Sequence, residues 1–143
     1  MRRFALAALA VVCAATTFGP WLQSGSSRRT SYEVVRAAED LDVLHGWVQP
    51  AAAAAWYFVP LLAALVVLAA VLERTVLAAG LLAVTGLAVA LLALKLILGP
   101  FSTDWGASAG LIGGTVAVLA AAGSMTHERR TRERRAGATD RAA

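Results

Sequence analysis

The sequence predicts an all-α fold: a bundle of four transmembrane helices, with a short amphipathic helix in the extracytoplasmic loop between the first two spans. Hydrophobic residues make up 59% of the 143 residues and charged residues only 15%, whereas an average soluble domain carries about 25% charged residues. The apolar residues are grouped into four segments of about the length that crosses a bilayer. This composition excludes a disordered chain and disfavours an ordinary soluble globule.

The four segments define one transmembrane domain. The bilayer core is about 30 Å thick, so a spanning helix needs about 20 mostly apolar residues. The predicted spans are residues 4–20, 51–72, 75–98 and 107–126. An outer loop over residues 21–50 separates the first two spans. The domain therefore covers residues 1–126, and residues 127–143 are expected to form a basic, disordered cytoplasmic tail.

The distribution of arginine predicts the orientation, because Lys and Arg beside short loops usually stay in the cytoplasm. With both termini inside, three arginines lie outside, namely Arg28, Arg29 and Arg36. Nine lie on the cytoplasmic side: Arg2, Arg3, Arg74, Arg129, Arg130, Arg132, Arg134, Arg135 and Arg141. The sequence therefore predicts a multi-pass plasma-membrane protein with both termini in the cytoplasm.

The first span has a second interpretation. Arg2 and Arg3, followed by about 15 apolar residues, also describe a secretory signal peptide. The small residues around Cys13 could then serve as its cleavage site. An uncleaved anchor is preferred, and cleavage would remove one helix without changing the rest of the topology.

The outer loop is predicted to contain a helix that begins near Thr30. Thr30 and Glu33 have the spacing of a capping box, and Gly46 fits the end of the helix. Apolar residues recur at helical spacing at Val34, Val35, Ala38, Leu41 and Leu44. This stripe needs a cover, which could be the membrane surface, the outer ends of the spans or another protein. The preceding residues 24–29 are expected to be flexible and basic.

Aromatic and basic residues mark the outer side as a candidate contact surface. The four tryptophans, Trp21, Trp47, Trp56 and Trp105, are all predicted at the outer membrane boundary. They form either an aromatic belt at headgroup level or a docking surface for a partner or lipid. Arg28 and Arg29 are either solvated loop charges or contacts for lipid phosphates or an anionic partner, which guanidinium groups bind in a bidentate way.

The fourth span carries three glycines on one face, Gly106, Gly110 and Gly114. Glycines at this spacing allow another helix backbone to approach closely. An internal contact with the third span is the preferred interpretation, and a contact between copies of the chain is the alternative.

Two residues within the predicted spans need an explanation. Lys95 is the one formal charge well inside a span, which by default suggests a functional site. It lies four residues before Gly99, so its stem can also extend to the outer interface. Pro60 is expected to kink the second span, because proline removes a backbone hydrogen bond.

Catalytic chemistry has no support in the sequence. His45 and His127 are predicted on opposite sides of the membrane, and no phosphate-binding glycine loop, catalytic triad or metal-ligand cluster is visible. The chain is therefore not expected to be an enzyme or to hold a cofactor or metal. The expected partners are the lipid bilayer and either another membrane protein or a second copy, but no nucleic acid.

The start of the outer loop carries a resemblance to known sequences. The run Pro20, Trp21, Leu22, Gln23, Ser24 and Gly25, followed by Arg28 to Tyr32 and an amphipathic helix, resembles small uncharacterised four-span membrane proteins of actinobacteria. This resemblance implies a plasma-membrane location and no particular activity. The leading hypothesis is a non-catalytic accessory or assembly subunit that acts through helix packing and its outer loop. The alternative is a small homo-oligomeric transporter or channel, with Lys95 and the glycine faces lining a path.

The arginine distribution makes the topology testable. A reporter that is active only in the cytoplasm should be active when fused after Arg135 and inactive when inserted at Ser26, on the outer side. Reporter activity compared at equal expression checks this. Cytoplasmic activity at Ser26 would contradict the predicted orientation.

Overall fold

The computed structural model describes residues 2–24, 26–40, 48–99 and 102–139, which form six helices and one antiparallel hairpin. In chain order, the elements are α1 (Arg2–Thr17), β1 (Pro20–Ser24), β2 (Ser27–Thr30), α2 (Ser31–Asp40), α3 (Val48–Tyr57), α4 (Val59–Val71), α5 (Thr75–Ile97) and α6 (Trp105–Thr139). The prediction of a mainly helical fold is confirmed. The hairpin is an addition that the sequence analysis did not predict.

Four helices, α1, α4, α5 and α6, form an antiparallel bundle, in which α5 and α6 share the largest contact and α1 packs against the other three. At one end, Arg3 forms an ion pair with Glu73, and the Thr75 hydroxyl donates a hydrogen bond to the Glu128 carboxylate at 3.2 Å. We call this the basic end. The hairpin, α2 and residues 102–104 lie at the opposite end and are called the cap.

The bundle core consists mostly of small and branched residues. Leu6, Ala10 and Cys13 of α1 are buried at helical spacing. They belong to one cluster with buried residues of the other helices, including Ala63 and Val66 of α4, Leu82 of α5, and Ala117 and Ala121 of α6. The many alanines let the helix backbones approach closely.

The closest approach between α5 and α6 occurs at Gly86 and Gly114. A Cβ atom built on Gly114 would lie 2.5 Å from the carbonyl oxygen of Gly86, and one built on Gly86 would lie 2.7 Å from the carbonyl oxygen of Gly114. Such distances are too short for real atoms. The two glycines therefore permit this crossing, which lies within the chain.

The outer surface of the bundle is apolar. Two helical stretches, Thr75–Ile97 and Trp105–Thr131, are long and apolar enough to cross a membrane, although only 39% and 33% of their most apolar windows are buried. The apolar stretches Arg3–Thr17 and Val59–Val71 are shorter. Large exposed residues occur on all four helices, among them Phe4, Val11, Leu61, Leu68, Leu87, Leu91, Ile112 and Leu119.

Several element boundaries differ from the sequence-based expectations. The predicted second span is interrupted at Phe58, two residues before Pro60, which divides it into α3 and α4. The helix of the fourth span continues to Thr139, although a disordered tail was expected from residue 127. Helix α2 covers Ser31–Asp40, and the predicted stripe residues Leu41 and Leu44 lie outside the described residues, as do Gly46 and His45.

The close contact between α5 and α6 can be tested by a substitution that adds one methyl group at Gly114. Gly114→Ala should lower the free energy of unfolding by about 1–3 kcal/mol, the usual cost of overpacking, because the methyl carbon would clash with Gly86. Gly123→Ala is the matched control on the same helix, since a Cβ there meets nothing within 4 Å. Denaturant unfolding in detergent micelles measures both, and equal losses of stability would contradict a specific crossing.

Candidate partner-binding surface at the cap

The cap is joined to the bundle by Trp21. This residue is fully buried, and its indole N–H donates a hydrogen bond to the carbonyl oxygen of Thr16 at 2.7 Å. Its ring lies against α6, where a Cβ on Gly110 would lie 2.7 Å from the ring and a Cβ on Gly106 would lie 2.8 Å from it. Gly106 and Gly110 therefore make room for Trp21 and β1, whereas Gly114 makes room for a helix.

A second tryptophan continues this core under α2. The Trp56 ring meets the Trp21 ring edge to face at 5.5 Å and is only 5% exposed. Its indole N–H donates to the Ser31 hydroxyl at 3.1 Å, and that hydroxyl donates to the carbonyl oxygen of Thr17 at 2.5 Å. One buried hydroxyl thus connects the end of α1, the start of α2 and the end of α3.

These positions change the interpretation of the tryptophans. Trp21 and Trp56 are buried in the protein, so neither forms part of the expected aromatic belt or docking surface. Trp105 is 57% exposed at the start of α6, as an interfacial or docking residue would be. Trp47 lies outside the described residues. Tryptophan near the end of a span has the same sequence signature whether its ring faces lipid or a folded loop.

Helix α2 begins with the predicted capping box. The backbone N–H of Thr30 donates to Glu33 Oε2 at 2.7 Å, and the backbone N–H of Glu33 approaches the Thr30 hydroxyl at 3.4 Å. Hydrogen bonds from the Thr30 backbone and then its side chain lower the pKa of Glu33 below its usual value; desolvation opposes them, and the charge of Arg29 adds a smaller lowering. Glu33 is therefore a fixed negative charge at neutral pH.

The apolar side of α2 is covered mainly by α3 and by the hairpin. Tyr32, Val34 and Val35 are partly buried against the cluster that contains Trp21 and Trp56. The Tyr32 ring also stacks on Tyr57 at a centroid distance of 5.8 Å. Among the three possible covers for the apolar stripe, the structure favours the outer ends of the spans for these residues.

The segment between α5 and α6 holds the hairpin from its other side. The Gln23 N–H donates to the carbonyl oxygen of Ser102 at 2.9 Å, and the Asp104 N–H donates to the carbonyl oxygen of Trp21 at 3.0 Å. The Asp104 carboxylate accepts the Trp105 N–H at 2.7 Å, and its other oxygen lies 3.2 Å from Arg28 Nε. Residues predicted to be a flexible basic loop are thus part of an ordered hairpin, except for Gly25, which lies outside the described residues.

The cap carries an open groove between β2 and α2, with a volume of about 460 Å³. We call it the arginine groove. Its lining residues are Ser27, Arg28, Arg29, Glu33, Arg36, Ala37 and Asp40. All three arginines that the sequence places on the outer side therefore converge on one groove. The groove between β2 and α2 could not be predicted from the sequence, because it depends on the unpredicted hairpin.

Lys95, the candidate residue within the third predicted span, does not line the arginine groove. Lys95 is exposed on α5, outside the bundle core. Within residues 2–24, 26–40, 48–99 and 102–139, no group of three His, Cys, Asp or Glu side chains could hold a metal ion.

Comparisons with known proteins give no relative from which a function could be transferred. No family model matches the chain, and no curated protein or solved structure matches it either.

The Ser31 hydroxyl should be essential for the stability of the cap. Ser31→Ala would leave the buried indole N–H of Trp56 without its hydrogen-bond acceptor, and an unsatisfied buried polar group costs about 1–3 kcal/mol. Ser108→Ala, on an exposed position of α6, is the control. Thermal unfolding in detergent, followed by tryptophan fluorescence, should show a lower melting temperature for Ser31→Ala alone. Identical melting curves for wild type and Ser31→Ala would contradict the assigned network.

Proposed function

We propose that the chain is a non-catalytic plasma-membrane protein with four spans and cytoplasmic termini, and that it acts through its outer cap as an accessory or assembly subunit. The single observation that carries this proposal is the contrast between the surfaces of the molecule. The sides of the bundle are apolar, whereas the polar groups are concentrated in the cap and at the basic end. Lipid is the solvent that suits such sides.

The exposed faces of the short helices support four spans. Phe4, Val11 and Val12 of α1 are at least half exposed, as are Leu61 and Leu68 of α4. A soluble protein rarely leaves such faces uncovered on every helix. Helix α5 rises about 35 Å over its 23 residues, enough for the bilayer core, and α3 and α4 together cover a similar number of residues.

The contacts of α1 support an uncleaved anchor. Leu6, Ala10 and Cys13 contribute to the bundle core, and the carbonyl oxygens of Thr16 and Thr17 accept hydrogen bonds from the cap. Removal of residues up to Ala14 would take Leu6, Ala10 and Cys13 out of the bundle and expose its core. A signal peptide that leaves the protein would have no need of these contacts.

The core of the bundle favours an accessory role over transport through one chain. Within the described residues, the buried polar side chains are Thr17, Ser31 and Thr85, and the rest of the buried core is apolar. Thr85 donates its hydroxyl to the carbonyl oxygen of Leu81 in its own helix. Lys95 is exposed outside the bundle, which is where a side chain reaching for the interface would lie. A path for a polar substrate through one chain would need polar side chains along the interior of the bundle.

Site-specific cross-linking tests the proposed role. A photoreactive amino acid at Ser26, in the exposed hairpin turn, should form adducts with another membrane protein in intact cells. The same amino acid at Val116, on the exposed side of α6, is the control for random collisions in the membrane. Mass spectrometry identifies the adducts.

The outcomes separate the two functional hypotheses. A heterologous adduct at Ser26 and none at Val116 is the expected result. Adducts restricted to a second copy of the chain at Val116 would contradict the accessory role and favour the homo-oligomeric transporter.

A further inference from the structure

We infer that the arginine groove binds the headgroup of a zwitterionic phospholipid of the outer leaflet, with Arg29 and Arg36 on its phosphate and Asp40 on its ammonium group. This inference deepens the proposed function and rests on it, because it requires the cap to face the outer leaflet. It assigns a ligand class to a groove that the fold builds from β2 and α2.

The position of the groove along the bundle axis suits a lipid headgroup. Helix α5 is about 35 Å long, slightly more than the bilayer core of about 30 Å. The headgroup layers add about 5–7 Å on each side. The cap begins at Pro20, three residues after the end of α1, so it starts at this level. Exposed aromatic residues near the cap ends of the helices, as expected at headgroup level, are Phe18, Tyr57, Phe58 and Trp105.

The guanidinium groups are available for a phosphate. Arg29 and Arg36 are exposed, and the ion pairs found among the described residues involve neither of them. Arg28 is held by Asp104, whose carboxylate side chain is only 12% exposed. That contact uses Arg28 Nε, so its two terminal nitrogens remain for a ligand. Guanidinium groups bind phosphate oxygens in a bidentate way and with a fixed planar geometry.

The carboxylates of the groove discriminate between headgroups. Glu33 and Asp40 line the same groove as the arginines. One oxygen of Glu33 is occupied by the Thr30 N–H, whereas Asp40 lies one helical turn beyond Arg36. A headgroup with a phosphate and a primary ammonium matches both signs of charge. An anionic headgroup without an ammonium would leave Asp40 unpaired beside it.

Native mass spectrometry of the full chain in detergent can test this binding. The protein is titrated with phosphatidylethanolamine and with phosphatidylglycerol of identical acyl chains. Wild type should bind phosphatidylethanolamine more tightly. The double variant Arg29→Gln, Arg36→Gln should lose at least about tenfold in that affinity, since each lost hydrogen bond to a charged group is of that order. Its melting temperature should not change, because both side chains are exposed.

Arg130→Gln, an exposed arginine beyond the opposite end of the bundle, is the matched control and should bind like wild type. Equal affinity of the double variant and wild type would overturn the inference, as would equal losses in the double variant and Arg130→Gln. Tighter binding of phosphatidylglycerol would overturn the role of Asp40. Displacement of the lipid by millimolar inorganic phosphate would assign the groove to a soluble anion instead. Extraction of the protein from membranes by alkaline carbonate would refute the proposed membrane location itself, independently of these results.

Discussion

The position of the cap on the bundle depends on the packing of the Trp21 ring against α6. The indole ring occupies space that side chains at Gly106 and Gly110 would fill, and its N–H is bonded to the last turn of α1. Because β1 follows α1 directly, this contact fixes the direction in which the chain leaves the bundle. The hairpin, the start of α2 and the Asp104 contact all follow from that direction. The polar outer loop suggests a flexible connection to the bundle. The packing of the Trp21 ring against glycine instead fixes that connection.

One face of α6 contacts two other parts of the chain, the Trp21 ring and helix α5. Near the cap it receives an aromatic ring at Gly110, and about one turn further along it receives the backbone of α5 at Gly114. In lipid, apolar burial gives little driving force between helices, so close packing and hydrogen bonds hold them together. The glycines therefore stabilise both the bundle and the cap in the same way, by allowing close packing against α6. A cap held in this way fixes the backbone of β2 and α2, from which the arginines of the groove extend.

Local signals in the sequence predicted the mainly helical fold, whereas contacts between residues distant in sequence could not be predicted. The capping box at Thr30 and Glu33 located the start of α2 correctly, because the interacting groups are three residues apart. The apolar segments located α1 and α5, since each helix depends on its own composition, but they did not predict the division into α3 and α4 or the length of α6. The burial of Trp21 and Trp56 was missed, because it depends on glycines of α6 and on Ser31. The hairpin was missed for a different reason: its paired residues are close in sequence, but β2 is polar and exposed and lacks the apolar alternation that marks a strand.

The central claim is that Trp21 couples the cap to α6, and hydrogen exchange of the full chain in detergent tests it most directly. Gly110→Leu would force the Trp21 ring from its seat, whereas a side chain at Gly113 meets nothing within 4 Å at its Cβ. The account predicts that amides of residues 20–40 lose protection in Gly110→Leu and keep it in Gly113→Leu, while α5 stays protected in both. Unchanged protection of the cap in Gly110→Leu, or equal loss in the two variants, would contradict the account.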